Sequence, residues 1–202
     1  MLRVALTGGI ATGKTYVLER LRAAGVPVID ADDLVHGALL PGTPAAAAVS
    51  QQFGPEMLDA DGAVNRKALG TRVFSDASAR RTLEAILHPG VYDAIHQWFD
   101  DLKSSGALLG VAAIPLLYET KHEGDFQAVV VTACQQETQV QRMTGRDGLS
   151  ETEAQRRIAA QLPIDDKVNR ADFVVRTDGT LAETDRQVDE TLGKLRSRAE
   201  KM

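Results

Sequence analysis

Cysteine is nearly absent: Cys134 is the only one in 202 residues. Neither an intrachain disulfide nor a cysteine metal cluster can form, which fits a reducing, cytoplasmic setting. An excess of positive charge is also missing. Lys and Arg number 23 against 28 Asp and Glu, a formal net charge of −5. Nothing therefore points to a nucleic-acid partner held by bulk charge, and an anionic ligand has to be met by local basic residues. Long apolar runs are lacking too. The longest, 107–117, contains Pro115 and is too short to span a bilayer. A strand signal begins at Leu2, which leaves no room for a signal peptide. There is no internal repeat or low-complexity tract. The length suits one core domain carrying an insertion.

Against these absences one stretch stands out. Gly8-Gly9-Ile10-Ala11-Thr12-Gly13-Lys14-Thr15 matches G-x-x-x-x-G-K-[ST] without a gap. Residues 2–7 before it read as a short buried strand. Residues 15–24 after it read as a helix with Val17, Leu18 and Leu21 on one face, stopped at Gly25. Strand, glycine loop and helix in that order form a phosphate cradle. Glycines let backbone N–H groups turn inward, and the helix N-terminus adds its positive dipole end. In such a cradle Gly9, Ile10, Ala11, Thr12 and Gly13 surround the phosphates. Lys14 reaches the β- and γ-phosphates, and the Thr15 hydroxyl holds Mg²⁺. The bland alternative is a glycine turn that binds nothing.

Further strand signals lie at 26–30, 107–114, 128–132 and 173–175, with helical stretches between most of them. This pattern indicates an α/β fold, a parallel sheet covered on both faces. The gap between the second and third strands is too long for one crossover. Residues 31–106 therefore read as an inserted, mostly helical subdomain, with turns expected at Pro41-Gly42, Asp61-Gly62 and Pro89-Gly90. Ser150-x-x-Glu153 resembles a capping box and starts another helix, which ends before Pro163. The polar stretch 145–169 is a candidate lid.

Asp30 and Asp32 stand at the end of the second strand, on the edge that carries the phosphate loop. One carboxylate there can orient Mg²⁺ through water, and the other can accept a proton from a hydroxyl substrate. The competing reading is that Asp32 or Asp33 caps the helix that follows. Arg142 and Arg146 are four apart and share a helix face. They either neutralise phosphate charge during transfer or form a solvated basic face. Leu116, Leu117 and Tyr118 read equally as core or as an apolar wall for a ligand; Glu119 binds a polar group or is solvated. Arg66, Lys67, Arg72, Arg80, Arg81 and His88 are the basic supply of the insertion. Trp98 and Phe99 read as core, and Cys134 as buried and inert.

Taken in order, several blocks extend the match beyond a phosphate loop. They are Leu6-Thr7-Gly8-Gly9-Ile10-x-x-Gly13-Lys14, Val28-Ile29-Asp30-Ala31-Asp32, Phe53-Gly54, Leu87-His88-Pro89, Pro115-Leu116-Leu117-Tyr118-Glu119, Arg142-Met143-x-x-Arg146-Asp147 and Arg170-Ala171-Asp172-Phe173-Val174. Together they resemble the dephospho-coenzyme A kinase family over residues 2 to about 190. The resemblance implies a P-loop NTPase fold with a nucleoside-monophosphate-kinase-like parallel sheet. Its core would be 1–30, 107–144 and 170–202, its helical coenzyme-binding insertion 31–106 and its lid 145–169. It implies transfer of the ATP γ-phosphoryl to the ribose 3′-hydroxyl of dephospho-CoA, the last step of coenzyme A biosynthesis. Asp32, Lys14 and Arg146 would be catalytic, and Gly9 to Thr15 with Arg142 would bind ATP. Thr15 and Asp30 would serve Mg²⁺. The expected partners are ATP and dephospho-CoA, with no nucleic acid and no membrane, in a monomer or weak homo-oligomer. Two departures stand out: Ala11-Thr12 replaces the common Gly-Ser, and Thr177 stands near where Asn is frequent.

Other readings compete. Another small-molecule or nucleotide kinase fits the loop, sheet and lid. A guanine-nucleotide switch would carry an Asn-Lys-x-Asp motif, which is absent. An ATP-driven machine would show a strand ending in an acid, whereas the third strand runs into Pro115. A catalytically dead scaffold conflicts with the intact Lys14, Thr15 and Asp32.

Overall fold

A computed structural model describes residues 1–202, with side chains for all but residues 74 and 75. The chain divides into two units, Met1–Asp30 with Asp101–Met202, and Ala31–Asp100.

The first unit is built on five parallel strands in the order β2-β3-β1-β4-β5. They are β1 (Leu2–Gly8), β2 (Val28–Asp30), β3 (Leu109–Ala113), β4 (Ala128–Ala133) and β5 (Phe173–Arg176). β3 and β4 are buried at every position, as expected of strands covered on both faces. That explains their continuous apolar sequences. The register pairs Leu6 and Asp30 with Ala113, and Gly8 with Thr132. Gly8, Asp30, Ala113 and Ala133 thus finish at one sheet edge. Helices α1 (Lys14–Ala23) and α9 (Leu181–Ala199) bring Val17, Leu18, Leu21, Val188, Leu192 and Leu195 into one core with Leu2, Val4 and Leu6. Truncating such a leucine to alanine costs about 2–5 kcal/mol, a large part of a domain's stability. Between β4 and β5 lie α6 (Gln136–Asp147), α7 (Glu151–Ala159) and α8 (Ile164–Asn169).

The second unit contains α2 (Ala31–Ala38), α3 (Pro44–Phe53), α4 (Arg66–Ser75) and most of α5 (Ala77–Ser104). Thr43 and Asn65 cap α3 and α4 by accepting from Ala46 N and Ala68 N. Its core gathers Leu39, Ala46, Val49, Val64, Leu69 and Leu87.

Three local expectations change. Pro89-Gly90 is not a turn but lies inside the 28-residue α5. Leu87, Val91, Ile95 and Phe99 recur every four residues and are buried, so one apolar stripe continues through the proline. At Ser150 only half of a capping box forms. Ser150 Oγ accepts from Glu153 N, while the Glu153 carboxylate turns to Arg156 and Arg157 at 3.4 and 3.2 Å. The complete capping box is Thr180–Glu183, at the start of α9. Asp32 and Asp33 are not caps, because α2 already begins at Ala31; both lie within its first turn. There they still favour the positive end of the helix dipole.

Candidate active site

The phosphate loop joins β1 to α1 and is held in shape by the sheet beneath it. Gly8 has no room for a side chain: a Cβ there would lie 2.2 Å from Thr132 Oγ1 and 2.7 Å from Thr132 O. Gly13 has φ 83°, the left-handed region that favours glycine, and starts α1 from it. Thr12 is buried. Its hydroxyl donates to Gly9 O at 2.8 Å and lies 2.9 Å from Thr132 Oγ1. Ala11 adopts φ 58°, a conformation uncommon for a residue with a Cβ. Its carbonyl accepts from Arg142 Nη1 at 3.0 Å.

Lys14 and Thr15 open α1. Lys14 Nζ lies 3.4 Å from Asp30 Oδ2, and each side chain is largely buried. The first residue of α1 and the last residue of β2 therefore meet. Thr15 is exposed at the helix start. Among the described residues no three His, Cys, Asp or Glu side chains gather as a metal cluster. A hydroxyl and a carboxylate are nevertheless the hard oxygen donors that suit Mg²⁺ when phosphates and water complete its shell. Thr15 and Asp30 fit that ion. Asp32 is exposed, two positions beyond the end of β2.

Arg142 and Arg146 share α6 but differ in surroundings. Arg142 is half-buried, and its guanidinium donates to Ala11 O, Thr177 Oγ1, Thr177 O and Cys134 Sγ. It ties the phosphate loop to the segment after β5. Arg146 is exposed and grips Asp147 through two bonds of 2.7 and 3.0 Å. That pairing holds the Asp147 carboxyl below the usual carboxylate range. Cys134 is buried, and burial pushes its thiol pKa up, which keeps it unreactive. Leu117 and Tyr118 are buried and belong to the core. Burial also raises the Tyr118 pKa, and the Arg170 guanidinium lies 4.3 Å from its ring centroid.

Several residues around the loop escaped the sequence reading. Lys167 is fully buried and pairs with Glu119 at 2.8 Å. Gln139 Nε2 donates to Ile10 O at 2.6 Å, and Ile10 N donates to Gln161 Oε1 at 2.8 Å. Thr177 Oγ1 donates to Thr12 O at 2.9 Å. A lysine after Asp165-Asp166 in a polar helix carries no signal of burial, and single glutamines carry none of contact. Thr177 was visible only as a departure from a family pattern. In the other unit, Arg66 Nη1 lies 3.0 Å from His36 Nε2, while Lys67, Arg72, Arg80 and Arg81 are exposed.

A five-stranded parallel sheet, a G-x-x-x-x-G-K-T loop at its edge and a lysine entering the first helix define a P-loop nucleotide-binding fold. The dephospho-CoA kinase family model matches residues 2–183. A dephospho-CoA kinase of Anaeromyxobacter dehalogenans is 48% identical over 193 residues, spanning 96% of this chain and 92% of its own. A solved structure from Thermus thermophilus is 33% identical with a TM-score of 0.77, covering 96% of this chain and 97% of its own. The solved dephospho-CoA kinase from Campylobacter jejuni is 25% identical with a TM-score of 0.66, covering 96% of each chain. This chain belongs to the dephospho-CoA kinase family.

Proposed function

We propose that the chain transfers the γ-phosphoryl group of ATP to the ribose 3′-hydroxyl of dephospho-CoA, giving CoA and ADP, the last step of coenzyme A biosynthesis. The observation that carries this reading is the intact phosphate loop, with Lys14 paired to Asp30, inside a chain of this family. The hydroxyl oxygen bonds to the γ-phosphorus, and the bond from that phosphorus to the β–γ bridging oxygen breaks. The hydroxyl proton passes to the Asp32 carboxylate. Backbone N–H groups from Gly9 to Gly13 and the N-terminus of α1 hold the phosphates. Lys14 leaves Asp30 and follows the charge that shifts to the β–γ bridge. Thr15 and Asp30 would hold Mg²⁺, which would supply charge neutralisation on the phosphates. Arg142 supports ATP, and Arg146 exchanges Asp147 for phosphate oxygen as the lid 145–169 closes about its end at 161–167, which stays fastened to the phosphate loop, and excludes water. The insertion 31–106 takes the coenzyme.

No helix among the described residues is long and apolar enough to cross a membrane. In this reading the enzyme works in the cytoplasm, as a monomer or weak homo-oligomer, on small molecules rather than nucleic acid. An ADP-release assay with ATP and a panel of dephospho-CoA, adenosine, AMP, shikimate and water tests it. Release with dephospho-CoA alone is expected. Equal release with water would make the chain a hydrolase or switch, and preference for shikimate or AMP would make it another small-molecule kinase.

A further inference from the structure

The described side chains include one fully buried lysine that the mechanism leaves unused. Lys167 Nζ lies 2.8 Å from Glu119 Oε1, 3.3 Å from Gly8 O and 3.4 Å from Pro115 O. An ammonium group has three donors, and three acceptors surround it. Gly8 ends β1 and begins the phosphate loop, and Pro115 follows β3. Glu119 Oε1 also accepts from Leu162 N at 3.0 Å, while its Oε2 is buried and meets no donor among the described residues. Six residues before Lys167, Gln161 accepts from Ile10 N within the same loop. The segment 161–167 is thus fastened to the loop at both Gly8 and Ile10.

Stability alone does not account for this arrangement. Desolvating an ammonium and a carboxylate costs as much as their attraction returns, and well-packed apolar residues of the same volume often serve a fold equally well. What an apolar residue cannot do is bind at once the carbonyl that ends β1 and the Pro115 carbonyl beyond β3. The geometry points to Lys167 as a positioning residue for the phosphate loop. Held by Glu119, it fixes Gly8 O and Pro115 O, and so sets the direction in which the loop leaves β1. Gln161 fixes the Ile10 peptide from the same segment. The N–H groups that receive phosphate are thereby aimed before nucleotide arrives. This inference rests on the phosphate-binding reading of the loop given above.

The test separates positioning from folding. MgADP binding by calorimetry and melting temperature are measured on the full chain, on Lys167→Met, and on the double variant Lys167→Met with Glu119→Gln. The single variant leaves the largely buried Glu119 carboxylate without its cation, held by Leu162 N alone among the described residues, and is expected to lose both stability and affinity. The double variant removes both charges and is expected to regain the melting temperature. Its MgADP affinity is expected to stay about tenfold or more below that of the unaltered chain, since Gly8 O loses the ammonium donor at the root of the loop and Pro115 O keeps only the Thr7 hydroxyl at 3.2 Å. Affinity that returns together with melting temperature, or that stays lost only because melting temperature does, overturns the positioning role. Failure of the unaltered chain to bind MgADP overturns the phosphate-loop reading itself, a result distinct from the other two.

Discussion

Lys14 and Asp30 are paired at 3.4 Å across the edge where β1 and β2 finish. In the proposed reaction phosphate and Asp30 compete for the same ammonium group. Asp30→Asn removes the competitor, and Mg²⁺-free ATP is expected to bind as tightly or up to about fivefold tighter, about the net worth of one hydrogen bond. Turnover is expected to fall and to need more Mg²⁺, because the carboxylate oxygen proposed to serve Mg²⁺ is lost as well. Weaker Mg²⁺-free binding would mean instead that Asp30 aligns Lys14 for phosphate. Lys14→Ala is expected to lower turnover by orders of magnitude with the fold intact, since its charge favours the transferring phosphoryl over the ground state.

Among the described residues Arg146 holds only Asp147, and its side chain is 70% exposed. Such a pair contributes about 0–1 kcal/mol, so Arg146→Ala should leave the melting curve almost unmoved. Its cost belongs to turnover. Arginine fingers are worth roughly 10³–10⁵ in rate, and one acting beside Lys14 and Mg²⁺ should fall toward or below the low end. Steady-state kinetics decide the case: loss confined to the acceptor KM would move Arg146 to the coenzyme site.

The sheet was legible because burial on both faces forces uninterrupted apolar runs in β3 and β4, while the edge strands β2 and β5 are only partly buried and show shorter ones. The loop was legible because its glycines answer to sterics: Gly8 faces Thr132 and Gly13 needs a left-handed φ. Pro89 misled because proline removes one helical hydrogen bond, while the stripe from Leu87 to Phe99 supplies burial on both sides of it. The partners of Lys167 and Arg142 were not legible at all. They depend on carbonyls that distant strand ends bring together, and a sequence records the donors but not which carbonyls they will meet.

Glu183 offers a pH test of a single cap. The Thr180 backbone N–H and hydroxyl hold its carboxyl below the usual range. A carboxyl that is more acidic when folded adds stability above its unfolded pKa, and this is lost as pH falls through the folded value. Glu183→Gln should therefore lower the melting temperature at neutral pH and leave it nearly unchanged in acid. Equal loss at both would show that the charge plays no part.

Asp32→Asn keeps the size of the side chain and removes the basic oxygen. General-base assistance is worth about 10²–10⁴ in rate, and a loose transition state with late proton removal puts this case at the low end. ATP and dephospho-CoA should bind almost normally while turnover drops. Partial rescue by Mg²⁺ would assign Asp32 to the metal, and normal turnover at intact stability would falsify the base assignment.

Arg142 and Ala11 allow direct nucleotide contact to be told from support of the loop. Ala11 is held at φ 58°, a left-handed conformation that costs a residue with a Cβ about 1–2 kcal/mol. Arg142 Nη1 binds its carbonyl, and the same guanidinium reaches Thr177 Oγ1 and O. Lysine carries the charge but not the fork, so Arg142→Lys should release the Ala11 peptide and weaken ATP binding. Glycine adopts the left-handed conformation without that steric cost. Ala11→Gly alone should leave stability within about 1 kcal/mol, because relief of strain is offset by extra freedom in the unfolded chain. Combined with Arg142→Lys, it should restore part of the lost affinity, since a glycine keeps the loop's shape without the clamp. If Arg142 serves ATP only by touching it, the glycine will restore nothing, and the two substitutions will add independently in a double-mutant cycle.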